Sequence, residues 1–336
     1  MNVHRRTVVV TKLKNRGTTG TNRLVKTRII FASDFHGSDI VWRKFLNSAS
    51  MFTADVLLMG GDMTSKVMVP IVRGDGSYTT NFKGTQQTVA EDGLVQLKKK
   101  IRQHCYLPYV CTPQELDELH KSEMKVEKVF EQLEVEMLKE WLSLIPQKAP
   151  NTKVIFHPGN DDKFALDAVL KESPRVTFAE ESVVEFDSVH EAACCGWSNP
   201  TPWNSPRECT EEQLLEKLER TISMLKSVQT SCFCFHVPPY NSTIDMAPKL
   251  DPTLRPVYEG GRPAFIPVGS VSVRKVIEKY QPLLGLHGHI HESPGLVNIG
   301  RTQCINPGSE YTEGILKAYV VELEDGKVRR LQRLEG

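Results

Sequence analysis

Asp34 and His36 stand two residues apart, and so do His287 and His289. Side chains two apart on an extended segment point the same way, so each pair can reach one ion. Asp62 follows two glycines and Asn160 follows Gly159, and glycine lets the backbone turn sharply into a crowded site. His236 precedes Val237-Pro238-Pro239, a rigid stop. Carboxylate, imidazole and amide oxygen form a borderline-to-hard donor set. It suits Mn²⁺, Fe or Zn²⁺ and does not suit copper(I) or an iron–sulfur cluster.

Each piece alone is ordinary: Asp-x-His is common in turns, Gly-Asp at helix starts, and a lone histidine in a core. The weight comes from the elements that must position them. Apolar runs alternate with helical patterns, which argues for an α/β chain. Strands are expected over 28–32, 56–59, 153–156, 231–235 and 283–286, and each ends on one of these polar clusters. The carboxyl ends of strands in an α/β sheet are where sites form.

Between the second and third of these strands lies a long excursion. Residues 69–82, rich in Gly and Thr, read as an irregular loop or a hairpin. Leu94, Leu97, Ile101 and Cys105 share a helical face. Thr112-Pro113-Gln114-Glu115 is a capping box with proline at the first helical position. Val126 to Leu144 marks a further helix that Pro146 is expected to stop. A helical insertion over about 85–146 is therefore expected, with packing favoured over a lid. Thr210 to Gln213 forms a second capping box, Ser270 caps a shorter helix, and short β runs follow Pro294.

Hydrophobic residues are 40% and charged residues 25% of the 336, the balance of a folded soluble chain rather than a disordered or fibrous one. No stretch approaches the ~20 apolar residues of a membrane span, so no membrane partner is expected. The net charge of +1 gives no bulk attraction to nucleic acid. Residues 1–27 read as a basic segment ahead of a domain over 28–336, and no secretory signal is expected there. The eight cysteines include no CxxC pair and read as buried thiols of a cytoplasmic protein.

In order along the chain, Asp34-x-His36, Gly61-Asp62, Gly159-Asn160-Asp161, His236 and the His287-Gly288-His289 run resemble the calcineurin-like metallophosphoesterase superfamily. Asn199-Pro200-Thr201-Pro202-Trp203, His289-Ile290-His291-Glu292-Ser293 and Asn306-Pro307-Gly308-Ser309 resemble a prokaryotic branch of predicted phosphoesterases related to cyclic-nucleotide phosphodiesterases. The resemblance implies two packed mixed β sheets flanked by helices, a four-layer sandwich, with two divalent metal ions at one edge. It implies that Asp34, His36 and His289 hold one ion, that Asn160, His236 and His287 hold the other, and that Asp62 bridges them. It implies hydrolysis of a phosphodiester or nucleotide by a metal-bound hydroxide.

One position departs from that pattern. Histidine usually follows the Gly-Asn, and Asp161 stands there instead. Asp161 is expected to orient a ligand or cap a helix rather than act as the acid, with His157 and His291 as further candidates for that role. Two other readings stay open: a non-catalytic metal-binding scaffold of the same fold, and a nuclease. Trp197, Trp203 and Tyr240 could stack a base, and Arg207 could bind phosphate, although packing and a salt bridge are the more ordinary roles.

Overall fold

Ile29 and Phe31 alternate with Ile30 and Ala32, and all four are fully buried. A strand apolar on both faces must lie between two layers. Ile29 and Phe31 pack with Ala192, Cys194, Cys232 and Cys234 of a second sheet. Ile30 and Ala32 pack with Trp42, Phe45 and Leu46 of an outer helix. The result is helices, sheet, sheet and helices, four layers deep. The structure, a computed structural model, describes residues 25–336.

The first sheet has six strands, in the order Lys327–Glu335, Lys317–Glu324, Lys26–Ala32, Val56–Met59, Lys153–Phe156 and Thr177–Phe178. From Lys26–Ala32 onward neighbours run parallel, while the two C-terminal strands are antiparallel. The second sheet also has six, in the order Gly295–Ile299, Thr302–Asn306, Leu284–Leu286, Cys232–Phe235, Glu191–Cys195 and Ser182–Glu185. Its central four are parallel. Helices Glu211–Ile222 and Val271–Tyr280 cover its outer face through Leu214, Leu218, Val273 and Ile277. The parallel strands of both sheets end on one edge, which gathers the polar clusters there.

The expected elements stand close to their sequence bounds, and both capping boxes form as read. The first strand begins at Lys26, and of the basic segment residues 1–24 lie outside the described residues. The excursion differs from a purely helical insertion. Met68–Arg73, Ser77–Phe82, Thr85–Ala90 and Leu107–Cys111 form a four-stranded sheet with its own core of Val69, Ile71, Tyr78 and Phe82. The edge strand Thr85–Ala90 opens on four polar residues, Thr85-Gln86-Gln87-Thr88, so its apolar signal is weak. Helix Glu123–Ser143 then returns to the main core, where Trp141 stacks on Trp42 at 5.3 Å. Pro146 does not end the helical run; it sits in the first turn of the short helix Ile145–Lys148. All eight cysteines are free thiols and seven of them are buried. No helix of the described residues is long and apolar enough to cross a membrane.

Candidate metal centre

Four of the clustered side chains sit on backbone that L-residues avoid. Asp34 (φ 62°), His36 (φ 41°), Asp62 (φ 54°) and His289 (φ 67°) all occupy the left-handed region. Such strain persists only where surrounding bonds over-determine it, and it concentrates at functional sites. Here the Asp34 amide donates to the Gly61 carbonyl at 2.9 Å and the His36 amide to Asp62 at 3.0 Å. The Gly288 amide donates to the His236 carbonyl at 2.9 Å and continues the pairing of their two strands in the second sheet. Two glycines are required by contact. A Cβ on Gly159 would lie 2.1 Å from Asp62 Oδ1, and one on Gly288 would lie 2.1 Å from Ser33 Oγ.

The strand ends bring the donors together in three overlapping groups. Asp34, His36 and His291 offer ligand atoms within 4.8 Å of one another, and so do Asp62, His236 and His289, and His36, Asp62 and Asp161. Asp62 Oδ2 lies 3.3 Å from His236 Nε2 and 3.7 Å from His36 Nε2, so its carboxylate is near both rings. Asn160 Oδ1 approaches His236 Nε2 at 3.1 Å. His236 Nδ1 donates to the Gly60 carbonyl at 2.8 Å, which turns the Nε2 lone pair inward. His36 Nε2 and His291 Nε2 face each other at 3.1 Å.

The placement of His287 differs from the expected ligand set. Its Nδ1 donates to the Phe235 carbonyl at 2.8 Å, and its Nε2 is buried without a partner, outside the clustered groups. Of His287, His289 and His291, it is the last two whose rings enter those groups. The three histidines are evenly spaced two apart, so spacing cannot choose between adjacent pairs. The chain leaves the strand at Leu286, and the turn through Gly288 to the left-handed His289 decides which rings enter the cluster.

The candidate acids also fall differently. His157 is fully buried, with Nδ1 on the Pro158 carbonyl at 2.9 Å and Nε2 on Cys234 Sγ at 3.1 Å, which leaves nothing for a substrate. Asp161 accepts from Asn160 Nδ2 at 2.9 Å and Ser205 Oγ at 2.6 Å, and pairs with Lys66 Nζ at 3.0 Å. Burial pushes its carboxyl up, but Lys66 and the Ser205 hydrogen bond outweigh it and hold Asp161 well below the usual carboxylate range. It is therefore a base or an orienting group at neutral pH, not a proton donor. It caps no helix, since the next one is Ala165–Glu172. His291 is 22% exposed and is the only one of the three acid candidates with an open ring, but it lies within the ligand group.

Sequence reading missed several supporting residues. Lys66 reaches the site from four positions beyond Asp62, where nothing in its spacing distinguishes it from a surface lysine. Asp162 accepts from the amides of Met63 (3.0 Å), Thr64 (3.1 Å) and Gly159 (2.9 Å), tying the Asp62 loop to the Asn160 loop. Asn306 Nδ2 donates to the Ile290 carbonyl at 2.8 Å and Ser309 Oγ to the Asp34 carbonyl at 2.6 Å, so the Asn306-Pro307-Gly308-Ser309 motif braces the ligand loops. Arg207 is buried against Asp167, the structural role.

These residues fit divalent cations. Burial lowers His289 to about 3 and His36 well below its ordinary value, so both present neutral lone pairs. Burial would lower His236 as well, but the Asp62 and Asp34 carboxylates raise it to about 10. The cluster thus stabilises positive charge in a buried place. Asp, His and Asn donors around a shared carboxylate suit Mn²⁺, Fe or Zn²⁺.

A cavity of about 700 Å³ opens over the cluster, with Asp62, Asn160, His289 and His291 on its inner side. No residue between 67 and 159 lines it.

Two packed mixed sheets with this donor frame at their shared edge are the fold that the resemblance to calcineurin-like metallophosphoesterases implies. The chain belongs to one family with the uncharacterized protein MJ1162 of Methanocaldococcus jannaschii, to which it is 30% identical over 178 residues, 52% of this chain and 68% of that protein. No family model matches the chain. A crystal structure at 15% identity shares the fold, with a TM-score of 0.55 over 93% of this chain and 99% of its own. A structure described as a novel archaeal phosphodiesterase aligns over 92% of this chain and 99% of its own at 13% identity; its TM-score of 0.33 is too low to carry an argument.

Proposed function

We propose that the protein is a metal-dependent phosphoesterase that hydrolyses a phosphodiester. One observation carries this reading: Asp34, His36, Asp62, Asn160, His236, His289 and His291 converge at the strand ends as overlapping donor groups, with the Asp62 carboxylate near both His36 and His236. Two divalent ions, when bound, supply an acidified water and neutralise the phosphoryl oxygens. The chain's own residues do the rest. Asp161 fixes the Asn160 amide so that its oxygen faces the centre. Lys66, half exposed at the cavity and held by Asp161, offers one further positive charge to a phosphoryl oxygen. One lysine matches the single charge of a diester better than the double charge of a monoester.

Asp161 in place of histidine favours the scaffold reading, in which the centre binds metal without turnover. The nuclease reading gains no support from a cavity lined by a single lysine and no arginine among the described residues. The deciding experiment loads the protein with Mn²⁺ and offers bis(p-nitrophenyl) phosphate, p-nitrophenyl phosphate and cyclic nucleotides side by side. Diester turnover exceeding monoester turnover is expected, and Asp62→Asn lowers both metal content and turnover, the latter by about 10²–10³-fold or more. A metal-replete protein that turns over none of them is the scaffold.

A further inference from the structure

The cavity over the metal centre has a second side that the chemistry does not use. Trp203, Leu254 and Ile266 line it, and they are 66%, 48% and 39% exposed. Large apolar side chains held open to water beside a polar cluster mark a ligand surface rather than a core. Four prolines, Pro200, Pro202, Pro248 and Pro256, line the same side. Proline has no amide hydrogen, so these positions read shape and apolarity, not hydrogen-bond pattern.

This side is preformed. The antiparallel pairing of Met246–Pro248 with Phe265–Pro267 fixes Ile266 opposite Ala247. At the base of this arm the buried Asp245 accepts from the amides of Asn241 (2.8 Å), Ser242 (2.9 Å) and Gly269 (3.1 Å). Ser293 Oγ, two residues beyond His291, donates to the Met246 carbonyl at 2.6 Å. The arm is therefore registered against the ligand loop itself. On the other branch Thr201, which precedes Trp203 by two, is held by Glu208 through its amide at 2.8 Å.

Charge narrows the ligand further. Lys66 is the only lysine or arginine lining the cavity among the described residues, and Asp161 already holds it at 3.0 Å. Glu292 adds a negative charge to the lining. A second phosphate or a carboxylate on the substrate would meet no cation there.

We infer that the substrate is a singly charged phosphodiester whose retained substituent is a bulky apolar or flat uncharged group, covered by Trp203, Leu254 and Ile266. This rests on the phosphoesterase reading and adds the class of ester. A planar base and an aliphatic chain share the required chemistry, and the experiment separates them.

The test uses p-nitrophenyl diesters of phosphate, so the leaving group is constant and only the retained group changes: methyl, hexyl, phenyl or thymidine 5′. With Mn²⁺-loaded protein, KM for the favoured bulky ester is expected to lie about tenfold or more below that of the methyl ester. A low KM for phenyl and thymidine identifies a flat ring as the ligand, and a low KM for hexyl identifies an aliphatic chain. Trp203→Ala, at an exposed position where folding is not at stake, and separately Leu254→Ala bring the ratio of KM values toward one. A titration of diphenyl phosphate against dimethyl phosphate, followed by calorimetry, reads the same preference without turnover. If no ester is hydrolysed but diphenyl phosphate binds tighter through Trp203, the phosphoesterase reading fails, and Trp203, Leu254 and Ile266 remain a surface that binds a bulky diester as ligand rather than substrate. If all four esters are hydrolysed with equal KM, this inference is overturned and the phosphoesterase reading stands. A Trp203→Ala change that keeps the ester preference and instead dissociates a dimer in sedimentation would assign the surface to a second copy of the chain and overturn it too.

Discussion

The two sides of the cavity are built by opposite means. The inner side is buried and over-determined: four residues at positive φ, loops tied by Asp162, Asn306 and Ser309, and glycines with no room for a methyl group. The outer side is exposed and apolar, carried by a two-stranded ribbon and a proline-bounded loop that contribute nothing to the main core. The contrast separates reaction from selection. A donor frame must be held within a few tenths of an ångström to bind ions, whereas an apolar surface needs only shape, so it can sit on an appendage.

Perturbing each side should therefore give different signatures. The largest effect is expected on the inner side. Gly288→Ala puts a methyl group 2.1 Å from Ser33 Oγ and 2.5 Å from Asp34 Oδ2, which must displace His289 or Asp34. Displacements of that order cost about 10²-fold in kcat, and metal content should fall with it. If Gly288→Ala altered KM alone, the division between the two sides would break. Changes on the outer side are expected to be about tenfold and confined to ester preference, as for Trp203.

The smallest effect lies behind the inner side. Glu180 Oε2 accepts from the Gly196 amide at 2.8 Å, while Oε1 is shielded with no partner. Burial raises this carboxyl to about 8, with Arg207 opposing. The folded protein thus keeps a proton that the unfolded chain releases above about pH 4.5. Stability is lost as pH rises from there to about 8. Glu180→Gln removes that loss, so melting curves of the two proteins should agree near pH 4.5 and diverge by about 5–10 °C in favour of the variant at pH 9. Parallel profiles across that range would show that Glu180 is ionised in the fold.

Much of the frame is legible in the sequence. Strands such as Val56–Met59 and Cys232–Phe235 are short apolar runs that end abruptly on polar residues, and the capping boxes at Thr112 and Thr210 are local signals. Asp34, His36, Asp62, Asn160 and His236 lie at such ends and converge in the fold. What is not legible is set by tertiary geometry. The even spacing of His287, His289 and His291 leaves the ligand pair undetermined until the backbone turn at Gly288 is known. The polar strands from Met68 to Ala90 pack through a few alternating residues, too few to announce a sheet. Trp203 is far from Leu254 and Ile266 in the chain, and the three come together only in the lining of the cavity.

The account rests on the identity of the donors, and metal content measures that directly. Elemental analysis of protein purified without chelator should find about two divalent ions per chain. His291→Ala should empty one position, leaving about one ion, while His287→Ala, measured per folded chain, should keep both. A His287→Ala protein that loses an ion while His291→Ala retains the full content would contradict the assignment and return the ligand pair to His287 and His289.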